Sequence, residues 1–189
     1  MSHNDNNVYV SVDVETDGPI PGPYSMLSLG AVAFRPTGEA IGTFQGVLET
    51  LPGASQHPDT MSWWKKYPEA WAKATDNPRP PEMVMKEFVE WLDTLPSPPT
   101  FIGWPATWDF MFIFWYLIRF IGRSPFGHSG LCIKSQASDR LKTPFRQIGK
   151  RTLPKPWFAG TPKHDHDPIN DAMEQGILWL NMTERRNPK

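Results

Sequence analysis

A single cysteine, Cys132, is all the thiol chemistry the chain has. No internal disulfide can form, and the composition suits a reducing, cytoplasmic setting in which Cys132 serves as a small buried side chain. Surplus charge is lacking too: 19 basic residues face 20 acidic ones, for a net charge of −1. That balance argues against a protein that coats DNA by bulk attraction, although a nucleic-acid enzyme can meet phosphate through a bound cation instead. No apolar run is long enough to span a bilayer. The longest, FMFIFWYLI at 110–118, is bounded by Asp109 and Arg119, and a span takes about 20 residues. It reads as a core helix, with no membrane partner. Internal repeats and linker-like stretches are absent, and the polar opening MSHNDNN leads into a strand rather than a signal peptide. The 189 residues therefore suit one domain, with 1–6 and 183–189 expected to be flexible.

What is present is a run of strands followed by alternating elements. Residues 8–15, 26–34 and 43–50 read as strands, the last two joined at a tight PTG turn. The aromatic segment HPDTMSWWKKYPEAWAKA predicts a short helix capped by Asp59 or Thr60 and interrupted at Pro68. Met85, Phe88, Val89 and Leu92 recur at helical spacing within 81–95. TFIGW is a fourth strand, 109–121 a helix, GLCIKS at 130–135 a fifth strand, and 168–182 a last helix with Asp167 as its cap. The order βββαβαβα predicts an α/β fold, a mixed sheet with helices packed on it.

The first strand, VYVSVDVETDG, carries the chemistry. Val8, Val10, Val12 and Val14 share one face, and Asp13 and Glu15 lie two apart on the other. Two carboxylates held side by side repel. Either both reach solvent at the sheet's edge, or a shared proton or divalent cation lies between them, and an all-oxygen ligand set suits Mg²⁺ or Mn²⁺. Asp109, at the start of the apolar helix, taken alone reads as a helix cap. Asp171 falls between Ile169 and Ala172 on a helix with buried neighbours, where an unpaired carboxylate is costly. His166 precedes it by five residues.

Together DVET, Asp109 after WPATW, and the H-x4-D-A of His166 to Ala172 resemble the three motifs of the DEDDh exonuclease family, which includes ribonuclease T, oligoribonuclease and the proofreading exonuclease subunit of bacterial DNA polymerase. MLSLGAV occupies the place of that family's second strand, and HPDTMSWWKKYPEAW is similar to a bacterial and phage exoribonuclease-like subgroup. The resemblance implies a ribonuclease H-like fold whose central sheet is mixed and five-stranded. It implies two Mg²⁺ or Mn²⁺ ions on Asp13, Glu15, Asp109 and Asp171, with His166 as general base. It further implies 3′→5′ removal of nucleoside 5′-monophosphates from single-stranded ends, RNA slightly preferred over DNA, and a possible homodimer. A DNA-directed exonuclease and an inactive nucleic-acid-binding module of the same fold are the alternatives. A third reading treats HDHD as a transition-metal site unrelated to nucleic acid, which leaves Asp13, Glu15 and Asp109 without a purpose. The chain departs from the family where its second motif often carries His-Asn, because Trp104 and Pro105 stand there.

The substrate contacts expected from this resemblance are the backbone near Thr16 and the apolar Met26 and Leu27. Trp63 and Trp64 are adjacent and cannot both face one core, so one is free to stack on a base or both fill packing contacts. From Arg140 to Lys163 the chain has seven Lys or Arg and no acid, Lys150 and Arg151 among them. That run reads as a path for a phosphate backbone or as a solvated surface. His164 is expected on the surface.

Overall fold

A computed structural model describes residues 6–184. Three strands, β1 (Val8–Thr16), β2 (Met26–Phe34) and β3 (Ala40–Val47), form an antiparallel meander. β4 (Pro99–Gly103) and β5 (Gly130–Cys132) extend it in parallel, giving the order β3-β2-β1-β4-β5. Helices α1 (Pro58–Trp64), α2 (Pro68–Ala74) and α3 (Pro81–Asp93) lie between β3 and β4. α4 (Ala106–Ile121) joins β4 to β5, and α5 (Ile133–Arg140), three single-turn 3-10 helices and α6 (Pro168–Met182) complete the chain. Among the described residues no helix is long and apolar enough to cross a membrane.

Alternation along β1 divides the interior into two cores. Val8, Val10, Val12 and Val14 pack with α3 and α4 residues such as Phe88 and Phe112, while Tyr9 joins Val32, Phe34, Ile102 and the α6 residues Leu178 and Trp179. β2 is buried along its whole length, covered on both faces. Asp13 and Glu15 therefore point to the α6 side, as period-two spacing demands.

Several boundaries differ from expectation. β3 is displaced toward its N-terminus, at Ala40–Val47 rather than 43–50, because pairing with β2 from Ser28↔Val47 to Phe34↔Ala40 sets its register. The fifth strand ends at Cys132, and Ile133 and Ala137, one turn apart and both buried, begin a helix instead. The N-cap of α1 is His57, not Asp59 or Thr60, and Pro68 starts a second helix. The basic stretch folds into 3-10 turns at Phe145–Gln147, Lys150–Thr152 and Lys155–Phe158. Asp167 caps α6 as expected, accepting from the Ile169 N–H. The terminal segments expected to be flexible lie mostly outside the described residues.

One glycine makes the site possible. Gly30 pairs with Asp13 across the sheet, and a Cβ there would stand 2.3 Å from the Pro168 carbonyl carbon and 2.4 Å from the Ile169 nitrogen. Both are backbone atoms and cannot swing away. The start of α6 thus rests on β2 beside Asp13, which carries Asp171 to the acidic strand. Gly30→Ala should destabilise the protein by about 1–3 kcal/mol through overpacking, and catalytic rate should fall further than a melting curve alone explains. A variant with wild-type melting temperature and wild-type rate would show that this close approach is not needed.

Candidate active site

Four carboxylates from three elements meet where β1 and β4 end. β4 pairs with β1 only from Val8 to Ser11. Beyond that point the Val14 N–H has no strand partner on that side, and it donates to Asp109 Oδ1 at 3.2 Å. Asp109 is not a cap: α4 begins at Ala106, which puts Asp109 inside the first turn, 3% exposed and turned toward β1. Asp13, Glu15 and Asp171 present oxygens that all lie within 4.8 Å of one another.

The charges are crowded. Burial, with repulsion from Asp109 and Asp171 behind it, holds the Asp13 carboxyl well above the usual carboxylate range. Burial and then Asp13 do the same to Glu15, and burial does so to Asp109 against the opposing Val14 hydrogen bond. Gln175, one turn past Asp171, donates from Nε2 to Asp13 Oδ1 at 2.6 Å, while its own Oε1 is buried with no partner among the described residues. Oxygen acceptors outnumber donors here. A hard dication is what such a set accommodates, so the residues fit Mg²⁺ or Mn²⁺.

Both histidines of the loop before α6 stand at the edge of the acidic site. His164, expected on the surface, places Nδ1 2.8 Å from Asp171 Oδ1 and 3.4 Å from Glu174 Oε2, although its side chain is 41% exposed. Those two hydrogen bonds, Asp171 first, raise its pKa to about 9. His166 adopts a left-handed backbone, φ 58°, and its ring packs edge-on against Trp63 and Tyr67 with centroids 4.9 and 4.7 Å away. Burial, then the neighbouring His164, lowers its pKa. Lys73 on α2 ties down the histidine loop, reaching Asp165 at 3.6 Å and Asp167 at 3.4 Å.

Of the expected substrate contacts, some reach the site and others do not. A cleft of about 390 Å³ opens beside Glu15 and Thr16, walled by Thr60, Trp63, Trp64 and Trp108. Trp63 is partly exposed, but Trp64 is 2% exposed and donates its indole N–H to the Thr16 carbonyl at 2.9 Å, so it braces the wall. Met26 and Leu27 are fully buried and turn no side chain to the cleft, because β2 is covered on both faces. Lys150 bonds Glu174 and approaches His164 Nδ1 at 3.5 Å, while Arg151 is exposed. Sequence reasoning missed Glu174, Gln175, Tyr67 and Trp108. The first two follow Asp171 at i+3 and i+4, a spacing that puts them on its helix face. Trp108 is 40% exposed, a large indole left facing water at the cleft.

A mixed sheet of this order, with acids at the end of β1 and on the first turns of α4 and α6, defines a ribonuclease H-like nuclease scaffold. No family model matches the chain. It is 34% identical over 185 residues, 93% of its length, to the 3′-5′ DNA exonuclease Cap18 of Escherichia coli, covering 91% of that protein. Its fold matches the nuclease domain of 3′hExo, a DEDDh family member bound to rAMP, with a TM-score of 0.69 at 14% identity, over 97% of this chain and 94% of that one. It also matches Pop2p of S. pombe in an Mg²⁺- and Mn²⁺-bound form, with a TM-score of 0.68 at 13% identity, over 94% and 83% of the two chains. The chain belongs to the DEDDh family of 3′–5′ exonucleases.

Proposed function

We propose that the protein is a divalent-metal-dependent exonuclease that releases nucleoside 5′-monophosphates from single-stranded 3′ ends. The observation that carries this reading is the convergence of Asp13, Glu15 and Asp171 oxygens within 4.8 Å, with buried Asp109 beside them. These four carboxylates would hold two Mg²⁺ or Mn²⁺ ions. Bound there, such ions supply Lewis acidity at the scissile phosphate and at the attacking and leaving oxygens. His166 holds a neutral ring at physiological pH, able to take a proton from water. In this reading Lys150, which bonds Glu174 beside the acids, and the exposed Arg151 meet the phosphate backbone of the incoming strand.

The sugar preference follows the relative of which this chain covers 91%, which is named a DNA exonuclease; we take single-stranded DNA as the leading substrate. RNA, expected from subgroup resemblance, is the competing arm of the test. Purified protein would be incubated with 3′- and 5′-labelled RNA and DNA strands in Mg²⁺, Mn²⁺ or EDTA. Stepwise shortening from the 3′ end, stopped by EDTA, supports the reading; binding without shortening in every metal overturns it. The relative rates on the two sugars decide substrate. A cytoplasmic location and a homodimer belong to the same proposal, the latter read by light scattering.

Trp108 gives a cheap check on the cleft. An indole stacking on a base contributes about 1–3 kcal/mol. Trp108→Ala should therefore raise KM by about 5- to 150-fold, beyond what any shift in melting temperature explains, since the indole is 40% exposed at the cleft and its packing on Phe112 is only partial. An unchanged KM would place the terminal base elsewhere.

A further inference from the structure

The two histidines do more than one base requires. His164, His166 and Asp171 each offer a ligand atom, and all three lie within 4.8 Å of one another. Two imidazole nitrogens and one carboxylate oxygen make a donor set unlike that of the strand acids. Imidazole suits Zn²⁺ and its transition-metal neighbours, whereas carboxylate and water suit Mg²⁺ and Mn²⁺. We propose that His164, His166 and Asp171 form a zinc site whose occupation silences the exonuclease.

The geometry is close to what a metal needs. Ligand atoms on one tetrahedral zinc, each about 2.0–2.2 Å from it, stand about 3.3 Å apart. The 2.8 Å contact between His164 Nδ1 and Asp171 Oδ1 is a hydrogen bond whose proton zinc displaces, with a small opening of the pair. The rings of His164 and His166 already lie 4.6 Å apart between centroids. Glu174 Oε2, 3.4 Å from the same His164 nitrogen, stands near a fourth position, where zinc would displace the Lys150 ammonium that now bonds Glu174 and lies 3.5 Å from His164 Nδ1. Outer contacts hold the ligands as metal sites require. His166 packs against Trp63 and Tyr67, the loop is fastened through Lys73, and the Asn170 amide bonds both oxygens of Asp165 at 3.2 Å.

Asp171 is the shared member, so the two metal chemistries compete. Zinc on this set takes a carboxylate from the magnesium ligands and occupies both imidazoles. The site itself stands apart from the exonuclease reading; only its consequence rests on it.

The test uses the full chain in two measurements. The first is binding of Zn²⁺ by calorimetry and of Co²⁺ by visible absorption. Wild type should take one tight ion and give the intense bands of a four-coordinate cobalt. His164→Gln and His166→Gln should each weaken affinity at least about 100-fold, since loss of even an outer-shell partner commonly costs 10–100-fold. The second is the ratio of rates in saturating Mg²⁺ with and without micromolar zinc, taken within each variant. That ratio should be far below one for wild type and move toward one in His164→Gln. Binding unaffected by both substitutions, or weak six-coordinate spectra, overturns the site. Tight histidine-dependent binding with an unchanged rate ratio overturns the silencing. Tight binding in a protein that shortens no strand upholds the site and removes the exonuclease reading alone. Circular dichroism of each variant separates lost ligation from lost fold.

Discussion

Asp13→Asn should lower exonuclease rate by at least about 10³-fold and raise the melting temperature of the metal-free protein. The two effects have one cause. Asp13 lies on a strand face beside Glu15, with Asp171 brought across from α6 and Asp109 turned in from α4. Its carboxyl is held above the usual range by burial and by two of those neighbours, so ionising it costs the folded state energy that the unfolded chain does not bear. The amide removes that repulsion, keeps an oxygen to accept from Gln175 Nε2, and adds donors to a site overfull of acceptors. Each kcal/mol of relief raises the melting temperature by about 2–4 °C for a chain of this size. Catalysis moves the other way, because ligand charge needed to hold the metals is gone, and metal stabilisation of the transition state amounts to several kcal/mol. Rate and melting temperature measured on the same preparation decide it: a variant both slow and less stable would mean that Asp13 braces the fold rather than binding metal.

That pairing of residues was legible from the sequence because it depends on local periodicity. Valines at 8, 10, 12 and 14 leave Asp13 and Glu15 on one face whatever the rest of the chain does. The helices with clear spacing, α3 and α6, were legible for the same reason. What depended on distant partners was not. The register of β3 is set by β2, and the direction of Asp109 is set by the bare Val14 N–H that a short β4 leaves behind. GLCIKS reads as one strand, and only the burial of Ile133 and Ala137 with α6 residues ends it at Cys132 and turns the rest into helix. Of two adjacent tryptophans the sequence could say that they face apart but not which was buried; the Thr16 carbonyl selects Trp64. His164 is exposed, as its sequence suggests, and only the fold shows that its Nδ1 also reaches Asp171 and Glu174 on α6. Glu174 and Gln175 were within reach of the argument, since helical spacing from Asp171 already puts them on the acidic face.

The metal-free protein should lose stability as pH rises from about 5 to 8, and millimolar Mn²⁺ or Mg²⁺ should restore it. Asp13, Glu15 and Asp109 have folded-state pKa values above their unfolded ones. The folded protein therefore holds more protons than the unfolded chain, and stability falls with pH in that window. Their contribution is whole below about pH 4, where unfolded carboxylates are also protonated, and is lost as pH climbs through the folded values. His164 acts in the same direction: raised to about 9 by Asp171 and Glu174, it stabilises fully below about pH 6.5 and ceases to do so as pH passes 9. Glu174 opposes the trend only in acid. Burial pushes its carboxyl up, but hydrogen bonds from His164 and Lys150 win and hold it low, so its contribution is lost as pH falls through that lowered value. A dication bound at 100 times its dissociation constant adds about 2.7 kcal/mol, which corresponds to about 5–11 °C here. Thermal melts across this range with EDTA, Mg²⁺ or Mn²⁺ should show a falling curve that metal flattens, with a shallower fall in Asp13→Asn. A melting temperature that rises with pH in EDTA, or one that metal leaves untouched at pH 8, would mean that the four carboxylates are not the crowded, metal-seeking set the geometry describes.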